Sequence, residues 1–301
     1  MGDTLADSTV FVTSVRSTEE RARARPLMDS IRAFAGDLSR CPIWLFEADH
    51  DQAPCTELAG EGVHVFPLSL PDSISHYLFS DKICASAQAE AMTADRVRSL
   101  VWIDPTCLIV NPPVLFALGS AFDAAVRPVH IRNVGLGATE PLDGYWKKIY
   151  SNLGVQDIQF TAQSFVDAQR IRAYFNTHAF AVNPSKGLLR RWAEHFESLV
   201  CDQVYQAASC QDIRHQVFLH QAILSAILAT SLDPERIRML PPDYNYPYNL
   251  HESIPPDRRA RSLGELVCIA CEDRPLNPNV MYDIDVHEPL RSWLSAHASW
   301  S

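Results

Sequence analysis

The chain has 301 residues, 47% hydrophobic and 21% charged, enough to bury one large α/β core. Its net charge is -10, with no basic tail and no Lys/Arg stripe, which argues against nucleic acid as a partner. No apolar run approaches the roughly 18 residues of a membrane span, so no transmembrane segment is expected. The acidic start, MGDTLADST, has no signal-peptide pattern, and Gly2 lacks the Ser or Thr of a myristoylation site.

The eight cysteines, Cys41, Cys55, Cys84, Cys107, Cys201, Cys210, Cys268 and Cys271, are scattered, mostly inside apolar runs. They read as reduced thiols of a cytoplasmic protein. Cys268 and Cys271 are the one close pair. On a strand, residues three apart face opposite sides, so the pair is a weak zinc or redox motif.

In chain order, Thr9 to Val15 is a β-branched run and the first expected strand. Ser17 and Glu20 form a capping-box pattern. Pro26 suits the first turn of a helix, and Leu27, Ile31, Phe34 and Leu38 make one apolar stripe. Ile43–Phe46 and Val63–Leu68 are further strands, a rhythm that signals parallel crossovers. Ser80 can cap a helix running to about Met92, with Lys82 near its start, where cations are usually disfavoured.

Leu100 to Ile103 is an unbroken apolar run, the pattern of a strand buried on both faces. Asp104 follows, and Pro105 steers it away from helical angles. A carboxylate thus stands at the carboxyl end of a buried strand, the edge where open α/β sheets bind ligands. The same residue would also serve as a strand-ending turn cap. Cys107–Val110 is a second short apolar run that Asn-Pro-Pro stops, Ala124–Val129 is an expected strand, and Tyr145–Leu153 is an expected helix. The Gly-containing loop Asn133–Thr139 lacks the setting of a dinucleotide fingerprint.

Ala179–Val182 is a buried strand entered from a polar corner of Asn176, Thr177 and His178. Ser185 is expected to cap a helix to about Val200. Ile213–Ala229 is apolar almost all round, a buried helix with His220 and Gln221 as polar intrusions. Each of the two histidines, His178 and His220, also fits the role of a satisfied core residue. Ile237–Leu240 and Leu266–Ala270 are short strands, and Glu288–His297 is a last helix. Between them runs an aromatic, proline-rich loop from Pro241 to Pro256. No repeat or linker divides the chain, so residues 1–301 read as one domain, with 1–8 as a flexible N-terminus. The fold class is α/β, with a mostly parallel central sheet flanked by helices.

Four stretches resemble the A-type glycosyltransferase fold, the Rossmann-like nucleotide-diphospho-sugar transferases. They are TVFVTSVR, FSDKICASAQAEAM with RVRSLVWIDPTCLIVNPP, YFNTHAFAVNPSKGLLRRW, and HQAILSAIL with LPPDYNYPYNLH. The resemblance spans roughly residues 9 to 272 and departs from the family at the site. The Asp-x-Asp motif becomes Asp104-Pro105-Thr106. The glycine after Asn-Ser/Thr is His178, and the Asp of Asp-Gln is His220. The late strand, LVCIACED, lacks the family's metal-binding His.

The resemblance implies a glycosyltransferase-like protein that uses or binds a nucleotide-activated sugar. Thr13 and Ser14 would contact the nucleotide, and Lys82 a phosphate or a sugar hydroxyl. Asp104 would hold ribose, sugar or a weak metal. Asn176 and Gln221 would hydrogen-bond the sugar, with His178 and His220 beside the reaction. The Tyr244–Tyr248 loop would face the acceptor. Lys82, Arg127, Arg132 and the two histidines are the cations available to a diphosphate. One carboxylate and a hydroxyl make a poor site for a hard cation, so Mg²⁺ or Mn²⁺ is expected to be held weakly or not at all. Two alternatives stay open: a non-catalytic ligand- or partner-binding member of the fold, and a different reaction in the same cleft with a histidine as acid or base. Sugar, nucleotide, acceptor and oligomeric state are not legible.

Overall fold

A computed structural model of the chain describes residues 8–48, 56–93, 96–272 and 284–297. Residues 1–7 of the expected flexible N-terminus lie outside them. The strands are β1 (Thr9–Val15), β2 (Ile43–Glu47), β3 (Val63–Pro67), β4 (Ser99–Ile103), β5 (Cys107–Ile109), β6 (Ala124–Pro128), β7 (Thr161–Gln163), β8 (Arg170–Arg172), β9 (Phe175–Val182), β10 (Ile237–Met239), β11 (Tyr246–Pro247) and β12 (Cys268–Ala270). The helices are α1 (Thr18–Phe34), α2 (Ser80–Thr93), α3 (Gly144–Asn152), α4 (Leu188–Val200), α5 (Gln203–Ser209), α6 (Ile213–Ser231) and α7 (Leu290–Ala296).

Seven strands form the central sheet, in the order β10-β6-β9-β4-β1-β2-β3. The pairings are parallel except where β9 meets β4 and β6. The mostly parallel α/β architecture expected from the sequence is the one observed. The chain runs outward from β1 to β2 and β3, then returns through α2 to place β4 on the other side of β1. That reversal opens a crevice beyond the carboxyl ends of β1 and β4.

Successive strand residues serve two cores. Val10, Val12, Leu100 and Trp102 pack with α2, α4 and α6. Phe11, Val15, Val101 and Ile103 pack with Leu27, Met28 and Ile31 of α1. The small sheet β11-β12-β5 closes this second face, with Cys107, Ile109, Cys268 and Ala270 in its core. Burial of all seven β1 residues explains why the sequence shows no alternation there.

At the amino ends of the parallel strands, Asp123 ties four neighbours together. It is 2.9 Å from Arg236 before β10, 2.9 Å from Asn183 after β9, 3.1 Å from Arg98 before β4 and 3.4 Å from Lys186. Burial pushes the carboxyl up, but these donors outweigh it and hold it well below the usual carboxylate range.

Several boundaries differ from expectation. Pro26 lies inside α1, not in its first turn, because Ser17 caps the helix with its Oγ accepting from Glu20 N–H. Ser185 does not cap α4. Asn183 caps a 3₁₀ turn there, and Gly187, at φ +65°, joins that turn to the helix in a conformation that favours glycine. The helix α5 and the hairpin β7-β8 have no counterpart in the sequence reading. Seven cysteines are free thiols, and Cys55 lies outside the described residues. Cys268 and Cys271 fall in different cores, as the strand spacing implies.

Candidate functional site

A cleft of about 440 Å³ opens at the carboxyl ends of β1 and β4. Ser14 ends the β1 face that looks towards α2. Its Oγ donates to Asp81 Oδ2 at 2.7 Å, and Arg16 Nη1 lies 3.6 Å from Asp81 Oδ1. Arg16 Nη2 also donates to Ser75 O at 3.0 Å. Glu20, one turn into α1, completes this wall. Burial pushes its carboxyl up, opposed by the Arg16 backbone N–H and reinforced by the negative charge of Asp81.

Lys82 is buried rather than solvated, with 4% exposure. Its Nζ donates to Asp104 Oδ2 at 2.8 Å and to Thr177 O at 3.3 Å. It lies 4.9 Å from the ring centroid of Phe79 and 5.9 Å from that of Trp102. These contacts offset the unfavourable place of a cation in the first turn of α2. Phe79, just before the helix, sits at φ +63°, a strained angle for a bulky residue and a mark of an over-determined site.

Asp104 stands both at a turn and at the cleft wall. Its carbonyl closes a turn by accepting from Cys107 N–H at 2.9 Å. Its carboxylate faces the cleft, with Oδ1 accepting from Trp102 Nε1 at 2.7 Å and Oδ2 holding Lys82.

The polar corner reaches this edge because β9 is antiparallel. The carboxyl end of β4 meets the amino end of β9, with Ile103 opposite Ala179 and Asp104 N–H donating to His178 O at 2.7 Å. Asn176 Oδ1 accepts from His178 N at 2.8 Å and lies 2.9 Å from its Nδ1. His178 Nε2 is 3.2 Å from Glu272 Oε1, in the turn after β12. Glu272 sits at φ +48°, a second left-handed non-glycine on the cleft wall. His220 Nδ1 lies 2.8 Å from Val217 O, a pure acceptor, so Nδ1 carries the proton and Nε2 accepts from Thr177 Oγ1 at 2.9 Å. Burial lowers its pKa strongly, and the Lys82 charge adds to that, so the ring is neutral.

Of the residues singled out in the sequence, Ser14, Lys82, Asp104, His178, His220 and Gln221 line the cleft together. Thr13 does not. It shares the parity of Phe11 and Val15, so its side chain lies on the α1 side of the sheet. Asn176 does not line the cleft either, because its amide is used to hold His178. Arg127 is buried elsewhere, with its guanidinium 4.4 Å from the Phe165 ring centroid and Nη1 donating to Pro241 O at 2.8 Å; burial pushes its pKa down to about 9. Arg132 pairs with Glu140 at 2.7 Å. The tyrosines of the Tyr244–Tyr248 loop are buried and brace β5 and β12 instead of facing the cleft.

Sequence reasoning missed Arg16, Glu20, Phe79, Asp81, Trp102 and Glu272. Asp81 had a readable signal, a carboxylate in the first turn of the helix that carries Lys82. Glu272 stands on the late strand's exit, inside the stretch LVCIACED, which was read only for a histidine.

The donors do not fit a divalent cation. Both Asp104 oxygens already accept from N–H groups, and Thr106 offers only a neutral oxygen. Among the described residues, no three His, Cys, Asp or Glu side chains stand together as a metal-holding set. No helix among them is long and apolar enough to cross a membrane.

No family model and no curated protein matches the sequence. Solved structures do match the fold. The galactosyltransferase LgtC, in complex with donor and acceptor sugar analogues, has a TM-score of 0.54 and 12% identity, over 96% of this chain and 95% of that one. An active-site mutant of LgtC gives 0.54 and 13%, over 95% of each chain. The glycosyltransferase GlyE of Streptococcus pneumoniae gives 0.48 and 13%, over 98% of this chain and 61% of that one. The chain has the A-type glycosyltransferase fold.

Proposed function

We propose that the cleft binds a nucleotide-activated sugar and transfers its sugar to an acceptor, without a tightly held divalent ion. The reading rests on one observation above others. Ser14, Lys82, Asp104 and Gln221, each assigned a ligand role by motif resemblance, converge on one cleft at the switch point of the sheet. LgtC, with the same fold, is described as a galactosyltransferase that holds donor and acceptor sugar analogues. Ser14 and Arg16 sit where a nucleotide enters. Lys82 and Arg16, both in the cleft lining, are cations available to its phosphates, whose departure any sugar transfer must stabilise. Asp104 and Gln221 offer hydrogen bonds to sugar hydroxyls, and Phe79 and Trp102 offer an apolar wall.

The test is a thermal-shift panel of nucleotide sugars, with Mn²⁺ or with EDTA. A ligand present at about 100 times its Kd stabilises the native state by about 2.7 kcal/mol. The reading expects at least one nucleotide sugar to do so equally in both buffers. No shift from any of them would reject it.

A second reading, binding without transfer, is favoured by the internal pairing of the cleft. Lys82 holds Asp104, Arg16 faces Asp81, and His178 faces Glu272. Release of the nucleoside diphosphate on adding acceptor separates the two readings.

A further inference from the structure

The hydrogens around His178 can be assigned from its neighbours. Asn176 Oδ1 lies 2.8 Å from the His178 backbone N, which only donates, so the amide atom there is the oxygen. The same oxygen lies 2.9 Å from Nδ1, which must therefore carry a proton. Across the ring, Nε2 lies 3.2 Å from Glu272 Oε1. A neutral ring protonated on Nδ1 would set a lone pair against that carboxylate. Glu272 Oε2 accepts from Asn249 Nδ2 at 2.6 Å. An ionised Glu272 facing a doubly protonated ring satisfies every one of these contacts.

We propose that His178 stands in the cleft as an imidazolium with Glu272 as its counter-ion, and that Nε2–H is the seat of a phosphate group of the ligand. The inference rests on the nucleotide-sugar reading and deepens it. The resemblance places a glycine at position 178, so the cation belongs to this chain. It adds charge where the metal ligands have been lost. The side chains of His178 and Glu272 are 22% and 37% exposed, so both meet solvent in the cleft. A phosphate oxygen that reaches Nε2 takes the place of Oε1.

The other titratable groups around the ring are His130 from the loop after β6, His220 from α6, Lys82 from α2 and Asp104 at the end of β4. His130 stacks on His178 with centroids 6.4 Å apart. Burial lowers its pKa strongly, and the charges of Arg127 and His178 add to that. It stays neutral and leaves the positive charge on His178.

The test is nitrogen NMR of the intact protein with ¹⁵N-labelled histidine rings, in one near-neutral buffer, with inorganic pyrophosphate as the probe. Wild type is expected to show both His178 nitrogens protonated. Glu272→Gln should leave one proton, and pyrophosphate should restore the second. His178→Gln should weaken pyrophosphate binding by about tenfold or more, the scale of one hydrogen bond to a charged group. A singly protonated wild-type ring, or a Glu272→Gln ring that keeps both protons without pyrophosphate, overturns the proposal. So does unchanged pyrophosphate affinity in His178→Gln. Tight nucleotide-sugar binding beside a singly protonated ring would defeat this inference alone. A doubly protonated ring with no binding of pyrophosphate or nucleotide sugar would defeat the phosphate seat together with the reading beneath it.

Discussion

Lys82 Nζ and Asp104 Oδ2 are 2.8 Å apart, with side-chain exposures of only 5% and 10%. The pair joins the first turn of α2 to the end of β4 across the sheet's switch point. A buried pair of this kind penalises the loss of one partner more than the loss of both, because the survivor is a desolvated charge.

Lys82→Met alone should therefore destabilise the fold by about 3–5 kcal/mol. Adding Asp104→Leu should recover much of that, since the two sites touch and their effects are not additive. Urea unfolding of the two single variants and the double variant measures both. If the pair serves a ligand, the double variant folds and no longer binds nucleotide sugar. A double variant that binds as well as wild type would show that the pair is structural only.

Much of this arrangement was legible from local pattern. A β-branched run marked β1, an unbroken apolar run marked β4, and the Asp-Pro break marked the edge where a ligand would lie. The direction of β9 was not legible. Phe175–Val182 reads the same run parallel or antiparallel, and only tertiary pairing turns its amino end towards the carboxyl end of β4. The parity of Thr13 and Ser14 was hidden for a related reason: with both faces buried, neither residue is marked as the one facing the cleft. Glu272 reaches His178 from a different sheet, so no spacing in the sequence links them.

Acid should test the Asp123 clamp at the opposite edge. The folded carboxyl is held well below its ordinary range by Arg236, Asn183, Arg98 and Lys186, against the opposing effect of burial. A depressed carboxyl contributes stability that is fully present above the unfolded value of about 3.9 and is lost as pH falls through the folded one. Asp123→Asn should therefore be less stable than wild type at neutral pH, and the gap should narrow as pH drops below about 4. Denaturant melts of both proteins across that range give the gap directly. A gap that stays constant with pH would show that the charge of Asp123 adds nothing.

His220 gives the fold a second acid sensitivity, at higher pH. Its folded ring is neutral because burial and the Lys82 charge oppose protonation, whereas an unfolded histidine titrates at about pH 6.5. The unfolded state then binds the extra proton first, so stability is full above about pH 6.5 and declines as pH falls below it. His130 acts in the same direction. His220→Gln should flatten the decline between neutral pH and about pH 5, with His130 leaving a residual slope. Wild-type stability that is level across this range, measured by urea melts, would show that neither ring is held neutral.

The metal question has a sharper test than metal addition alone. Asp104 turns Oδ1 to Trp102 and Oδ2 to Lys82, so a cation arriving there must displace an ammonium group and find further oxygens. Thr106 supplies no charge, and a hard cation gives up its water only for several oxygen ligands. Calorimetry with Mn²⁺ should therefore show no micromolar binding to the wild-type protein, and nucleotide-sugar affinity should be unchanged by EDTA. Putting back what is missing should reverse this. Lys82→Ala with Thr106→Asp frees Asp104 Oδ2 and places a second carboxylate two residues away. That double variant should gain thermal stability on adding Mn²⁺, whereas Thr106→Asp alone, with Lys82 still in place, should gain little. The reading fails if wild type binds micromolar Mn²⁺ and Asp104→Asn abolishes the binding.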